Sequence, residues 1–249
     1  MRLPSFVFVM ATGLAMMAKA ETVTLTTLDW PPYTSDALNG QGAVASIVTE
    51  GFAAAGLKTD IQIVPWNRAI ALAGADATVV AYFPGYSCDH SAGFVASNPV
   101  GSGPIALVER KATPITWQTV DDLVDQDLKF GVVKGYFNSA AFDAKVASGD
   151  LRVFPTKNDE TNISQLLNGR VDAIVIDPRV MTYLVQEKPA LWGGKQALAI
   201  NPRMLGSTNF HVCFSDDPKG NEMRKRFDAA ITGLDHDAAI ETYIETEFQ

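Results

Sequence analysis

Two near-continuous apolar runs, Ala77 to Phe83 and Val171 to Ile176, most constrain what this chain can fold into. Strands without polar alternation are buried on both faces, an arrangement found in parallel sheets covered by helices. Each run closes a βαβαβ series. In the first half, Thr22 to Leu28 reads as a strand stopped by the extended loop Trp30-Pro31-Pro32-Tyr33. Val44 to Ala55 follows as a helix ending at Gly56, Ile61 to Val64 as a strand, and Trp66 to Ala73 as a helix entered through Pro65. A Pro-, Gly- and Ser-rich stretch, Ser97 to Pro104, then separates the halves. Beyond it Ile105 to Val108 reads as a strand running into the charges Glu109-Arg110-Lys111, and Thr119 to Val124 as a short helix. Lys129 to Val133 is a strand, Ser139 to Ala147 a helix, Leu151 to Phe154 a strand, and Asp159 to Leu167 a helix with an acidic N-terminal cap. A late strand over Gly206 to Phe214 and amphipathic helices over Lys219 to Thr232 and Asp237 to Thr246 complete the chain. The class predicted is α/β, two βαβ-built units with a tail.

Composition narrows the function. The 249 residues carry a formal charge of −8 with 47% apolar content, enough for a large core and for two lobes of roughly 100 residues each. An acidic surface repels nucleic acid and anionic lipid, which leaves small molecules or proteins as partners. Arg2, the apolar stretch Phe6 to Met17 and Ala18-Lys19-Ala20 read as a secretory signal peptide over residues 1–20. The apolar run is too short for a membrane anchor. Removal of Arg2 and Lys19 takes the charge to −10, and the product is expected in an oxidising extracytoplasmic compartment.

Trp30-Pro-Pro-Tyr33, a helix, Pro65-Trp-Asn-Arg-Ala69, a buried strand, Ser97-Asn-Pro99 and the segment Leu166 to Asp177 (LLNGRVDAIVID) occur in that order. Together they resemble the bacterial periplasmic solute-binding proteins of the polar amino acid ABC transporter type, extracellular solute-binding protein family 3, over the whole chain after residue 20. The resemblance implies a type II-like periplasmic binding protein fold in which each lobe is a mixed sheet with flanking helices. Two crossover strands would act as the hinge. Lobe I would be 21–108 plus 203–249, and lobe II the inserted 109–202. Such a protein is a periplasmic monomer without a cofactor. It closes over a small polar ligand and hands it to a membrane permease or a sensor.

The resemblance also points to ligand contacts, each with a competing use. Trp30, beside Tyr33, stands where an aromatic stacks on the ligand, against a core or turn role. Trp66 and Arg68 open a helix at the expected cleft, where Trp66 competes with interlobe packing, and Arg68 is either a substitute cation for a ligand carboxylate or a surface residue. Tyr82 and Phe83 end a strand near which polar ligand contacts fall, against core packing. Seven residues before Ser97, the amino-acid binders usually carry an arginine that clamps the ligand carboxylate, and this chain has His90. Imidazole cannot make that bidentate fork. Asp177 matches the acceptor of the ligand ammonium, with a helix N-cap as its competitor. Tyr136, Phe137 and Asn138 follow a strand where a small hydroxyl residue is common, and suggest an aromatic-lined pocket for a cation or a flat organic ligand. Retention of the amine partner without the carboxylate clamp suggests an amine-bearing or cationic ligand.

Cys88-Asp89-His90 and His211-Val212-Cys213 carry two Cys and two His at mirror-image spacing. A Cys88–Cys213 disulfide, free thiols and a Cys2His2 metal site are the three readings. The oxidising compartment, the even count and the tail's implied return to lobe I favour the disulfide. Enzyme signals are poor: no Gly-x-Ser-x-Gly motif occurs, and Gly101 to Ala106 does not open a helix as a dinucleotide fingerprint must. Because some proteins of this architecture are dehydratases or lytic enzymes, His90 as a general acid or base is the enzymatic alternative. A ligand- or metal-sensing partner of a membrane receptor is the other.

Overall fold

A computed structural model describes residues 21–248, so the expected signal peptide lies outside the described residues. The first sheet is built from β1 (Thr22–Thr27), β2 (Lys58–Ile63), β3 (Val79–Gly85), β4 (Phe94–Ala96) and β10 (His211–Ser215), in the order β2-β1-β3-β10-β4. The second contains β5 (Ser102–Arg110), β6 (Lys129–Val133), β7 (Arg152–Thr156), β8 (Ala173–Ile176) and β9 (Leu198–Asn209), in the order β7-β6-β8-β5-β9. In each sheet a parallel β-strand trio meets antiparallel neighbours: β1 pairs parallel with β2 and β3, β6 parallel with β7 and β8, while β10 and β5 run against them. All seven residues of β3 and all four of β8 are buried, as the two apolar runs require.

The helices are α1 (Ala43–Ala54), α2 (Trp66–Ala75), α3 (Asp121–Val124), α4 (Ala140–Ser148), α5 (Asp159–Leu167), α6 (Pro178–Glu187), α7 (Gly194–Ala197), α8 (Pro218–Ile231) and α9 (His236–Glu247). α1 buries Val44, Ile47, Val48, Gly51 and Phe52, one helical face at i, i+3, i+4, i+7 and i+8. Each of its large apolar side chains gains about 1.5–3 kcal/mol from full burial. A Cβ at Gly51 would lie 2.7 Å from both Ile231 and Phe227, so the glycine sets how closely α8 approaches α1. The tail thus returns to the first sheet, with α8 and α9 on α1 and β10 beside β3.

The chain crosses between the sheets twice. β5 carries it into the second sheet and β9 runs antiparallel alongside, paired from Arg110–Leu198 to Ser102–Asn209. The sequence places the return inside this strand, at residue 203; the pairing continues to Asn209, and Phe210 separates β9 from β10. The single late strand expected over Gly206 to Phe214 is therefore two strands in two different sheets.

Candidate functional site

A cavity of about 250 Å³ lies where strand ends of the first sheet meet the loop after β6. From the first sheet and its connections come Leu28, Trp30, Trp66, Ile70, Tyr82, Pro84, Tyr86, Ser87, Asp89, Ala92 and Phe94; from the second come Gly135, Tyr136 and Phe137. Seven of these fourteen residues are aromatic and none is Lys, Arg or His. At roughly 30 Å³ per water the space holds about eight waters, the size of a small metabolite.

Local structure explains the aromatic placement. Trp66 begins α2 after Pro65, its indole edge-on to Tyr82 at 5.5 Å and to Tyr136 at 6.3 Å. Its Nε1–H donates to the Gly135 carbonyl at 3.2 Å, joining the two sides of the cavity. Gly135 has φ +87°, and a Cβ there would meet the Asn67 side chain, so only glycine fits this approach. Tyr86 stacks on Phe210 at 5.7 Å and meets Phe137 edge-on at 6.4 Å. Burial pushes the Tyr82 phenol up to about 12, with the Asp89 charge acting the same way, and holds Tyr86 and Tyr136 well above the ordinary tyrosine range. All three present neutral rings.

The Cys88 and Cys213 sulfurs are bonded, tying the cavity segment around Ser87 and Asp89 to β10. A Cβ on Gly85 would fall on Cys213 Sγ, so the strand end must be glycine to admit the bridge. Among the described residues no group of three or more His, Cys, Asp or Glu is arranged to hold a metal ion. His211 instead places Nδ1 2.8 Å from the Ser97 carbonyl.

Two buried carboxyls flank the interior. Asp177 caps α6, its Oδ1 accepting from the backbone N–H groups of Arg179 at 2.7 Å and Val180 at 3.4 Å. Its Oδ2 accepts from the Tyr33 hydroxyl at 2.8 Å, across from the first sheet's side. Arg179 Nη1 donates to the same hydroxyl at 3.1 Å, and its guanidinium also pairs with Glu241 on α9. Burial lifts Asp177 to about 6 although Tyr33, the backbone donors and Arg179 all pull it down. Asp159, the first residue of α5, is 5% exposed, and its Oδ1 has no hydrogen-bond partner. Burial lifts it to about 7, the Asp177 charge adds to this, and the donors of Tyr136 and Trp30 oppose it.

The structure thus brings Trp30, Trp66, Tyr82, Tyr136 and Phe137 together around one cavity. Tyr33 is fully buried beside Trp30, with ring centroids 4.5 Å apart, and engages Asp177 rather than the cavity. Phe83 is fully buried, and Asn138 is tied to Asp143 and to its own loop. Arg68 is exposed on α2, and His90 is exposed on the turn His90–Ala92; neither lines the cavity. Asp89 lines it instead, ionised and held low by Ser91 and Ala92 donors. Sequence reasoning did not foresee the burial of Asp159, because an acid opening a helix ordinarily marks a solvated cap.

No protein-family model matches the sequence, and no curated protein matches it. Solved structures share its fold. An ancestral arginine-binding protein bound to arginine aligns over 92% of this chain and 98% of its own, at 17% identity and TM-score 0.71. The GluR0 ligand-binding core from Nostoc punctiforme, in complex with L-glutamate, aligns over 91% and 99%, at 16% identity and TM-score 0.68. An ancestral amino acid-binding protein, a precursor of cyclohexadienyl dehydratase, aligns over 92% and 96%, at 14% identity and TM-score 0.67. The chain has the two-lobed periplasmic binding protein fold, with mixed five-stranded sheets and flanking helices. Among the described residues no helix is long and apolar enough to cross a membrane.

Proposed function

We propose that this protein is a solute-binding protein that captures a small amine-bearing or aromatic metabolite outside the cytoplasm and releases it to a membrane permease or sensor, without turning it over. The observation that carries this reading is an aromatic cavity with walls from both sheets, joined across it by the Trp66 to Gly135 hydrogen bond. Ligand capture is closure of 109–202 against 21–108 with 203–249, β5 and β9 flexing between them. A ligand that touches both walls favours the closed arrangement by its differential affinity. Trp30, Trp66, Tyr82, Tyr136 and Phe137 are the proposed contacts.

A thermal-shift panel of amino acids, amines, sugar acids and aromatic acids tests it, because a ligand that prefers the closed folded state raises apparent stability. A shift of several degrees with one chemical class and no loss of that compound over time is expected. Turnover of the compound that disappears in His90→Ala would overturn it in favour of an enzyme.

A further inference from the structure

We infer that Asp89 is the charge-selecting residue of the cavity, and that the ligand is an arylalkylamine, its ammonium on Asp89 and its ring among the aromatic walls. This deepens the solute-binding reading and rests on it.

Among the described residues that line the cavity, Asp89 is the one that carries a charge. The two oxygens of its carboxylate are used differently. Oδ1 accepts from the Ser91 backbone N–H at 2.8 Å, the Ser91 hydroxyl at 2.6 Å and the Ala92 backbone N–H at 3.3 Å, which closes the turn and fixes the side chain. Among the described residues no hydrogen bond reaches Oδ2 and no ion pair involves Asp89. A lone surface carboxylate of this kind is ordinarily left to water. This one stands in the wall of an aromatic cavity, and its charge bears on the Tyr82 phenol of the same wall.

The turn that carries Asp89 is pinned from outside. Among the described residues the hydrogen bonds of 86–92 stay within 86–94, so they shape the segment without attaching it to the sheet. The Cys88–Cys213 bond makes that attachment, joining the residue before Asp89 to a fully buried position on β10. Tyr86 adds its ring stack on Phe210. The carboxylate is therefore presented at a fixed place, and little ordering cost is left for binding.

The rings define the rest of the ligand. Tyr82 meets Trp66 edge-on at 5.5 Å and Phe94 at 4.9 Å on the side of Asp89, and Tyr86 meets Phe137 edge-on at 6.4 Å. A ligand ring among them gains about 0.5–1.5 kcal/mol per aromatic pair beyond its burial. Neutral aromatic faces also favour the ammonium beside them. The cavity of about 250 Å³ has room for one ring on a short amine arm.

Calorimetry at neutral pH on the protein lacking residues 1–20 tests this with phenethylamine, its neutral counterpart phenethyl alcohol, its anionic counterpart hydrocinnamate and its saturated counterpart cyclohexylethylamine. Phenethylamine is expected to bind about tenfold more tightly than the alcohol, the worth of one charged hydrogen bond, and about fivefold more tightly than the saturated amine. Hydrocinnamate is expected to bind weakest. Asp89→Asn and Asp89→Ser both keep an oxygen for the turn donors. Each is expected to bring phenethylamine down to the affinity of the alcohol, with the alcohol and the melting temperature of the ligand-free protein unchanged. A residue that merely shaped the turn would weaken amine and alcohol alike, and that result overturns the inference. So does an unchanged amine affinity in both variants, or binding of the alcohol, the acid or the saturated amine as tight as that of phenethylamine. Failure of all four compounds while another solute binds also overturns it and leaves solute capture standing. Failure of every solute, whatever its class, overturns both readings.

Discussion

Asp159 and Asp177 are close to a controlled experiment within one molecule. Both are aspartates at the start of a helix on the second-sheet side, and they are 5% and 4% exposed. Their partners differ. Asp177 has two backbone donors on Oδ1, a phenol on Oδ2 and an arginine close by; Asp159 has an empty Oδ1. The carboxyl with the completed set rises to about 6 and the incomplete one to about 7. Burial is therefore the same in both, and the hydrogen-bond shell decides what each group can do. A completed shell makes Asp177 part of the structure that joins β8 and α6 to the Tyr33 loop, while Asp159 keeps a buried oxygen without a donor.

The largest test of this contrast is pH. A carboxyl whose folded value lies above its unfolded value of about 3.9 contributes stability at low pH, and loses it as pH rises towards the folded value. For Asp159 that window runs from about 4 to about 7, and the loss is bounded at about 4 kcal/mol. Ligand-free protein should accordingly melt higher near pH 5 than near pH 8. Asp159→Asn should flatten much of that difference and leave only the smaller window below about 6 that belongs to Asp177. A flat wild-type profile would remove the distinction between the two carboxyls.

Asp177→Ala comes next. It deletes the α6 cap, worth about 1 kcal/mol, and strands the buried Tyr33 hydroxyl for about 1–3 kcal/mol more. Urea denaturation should show a loss of about 2–4 kcal/mol. Asp177→Asn, whose amide oxygen keeps the cap while its NH2 stands where the Tyr33 hydroxyl donates, should lose less. Amine affinity should stay within a few-fold of wild type in Asp177→Asn, because this carboxyl is not in the cavity wall.

How much of this was legible before the structure depended on whether the cause was local. The burial of β3 and β8 and the face of α1 follow from apolar spacing, and strands β6 and helix α5 fall at the expected residues. Asp177 before Pro178 carried both of its uses in the sequence, since an acid and a proline at a helix start are the signature of a cap. Choosing between them required Tyr33, 144 residues away. Helix α6 itself went unread although Val180, Met181, Leu184 and Val185 mark its buried face. His90 was found by counting along the chain, but counting gives no direction in an irregular turn, and Asp89 is the neighbour that reaches the cavity. Asp159 was visible only as a first-turn acid, because nothing in its local sequence signals that it is 5% exposed.

Tyr33→Phe probes the contrast with the smallest change, one oxygen. The hydroxyl donates to Asp177 and accepts from Arg179, so its loss leaves Asp177 Oδ2 without that donor while the cap on Oδ1 survives. About 1–2 kcal/mol should be lost by urea denaturation. Because the Tyr33 bond holds Asp177 down, removing it raises that carboxyl further, and the variant's deficit should be larger at pH 8, where Asp177 must ionise, than at pH 5. In that variant Asp177 becomes more like Asp159: buried, short of a donor and costly when charged. If the deficit were the same at both pH values, the phenol would not be what separates the two aspartates, and the arginine behind it would have to carry the difference.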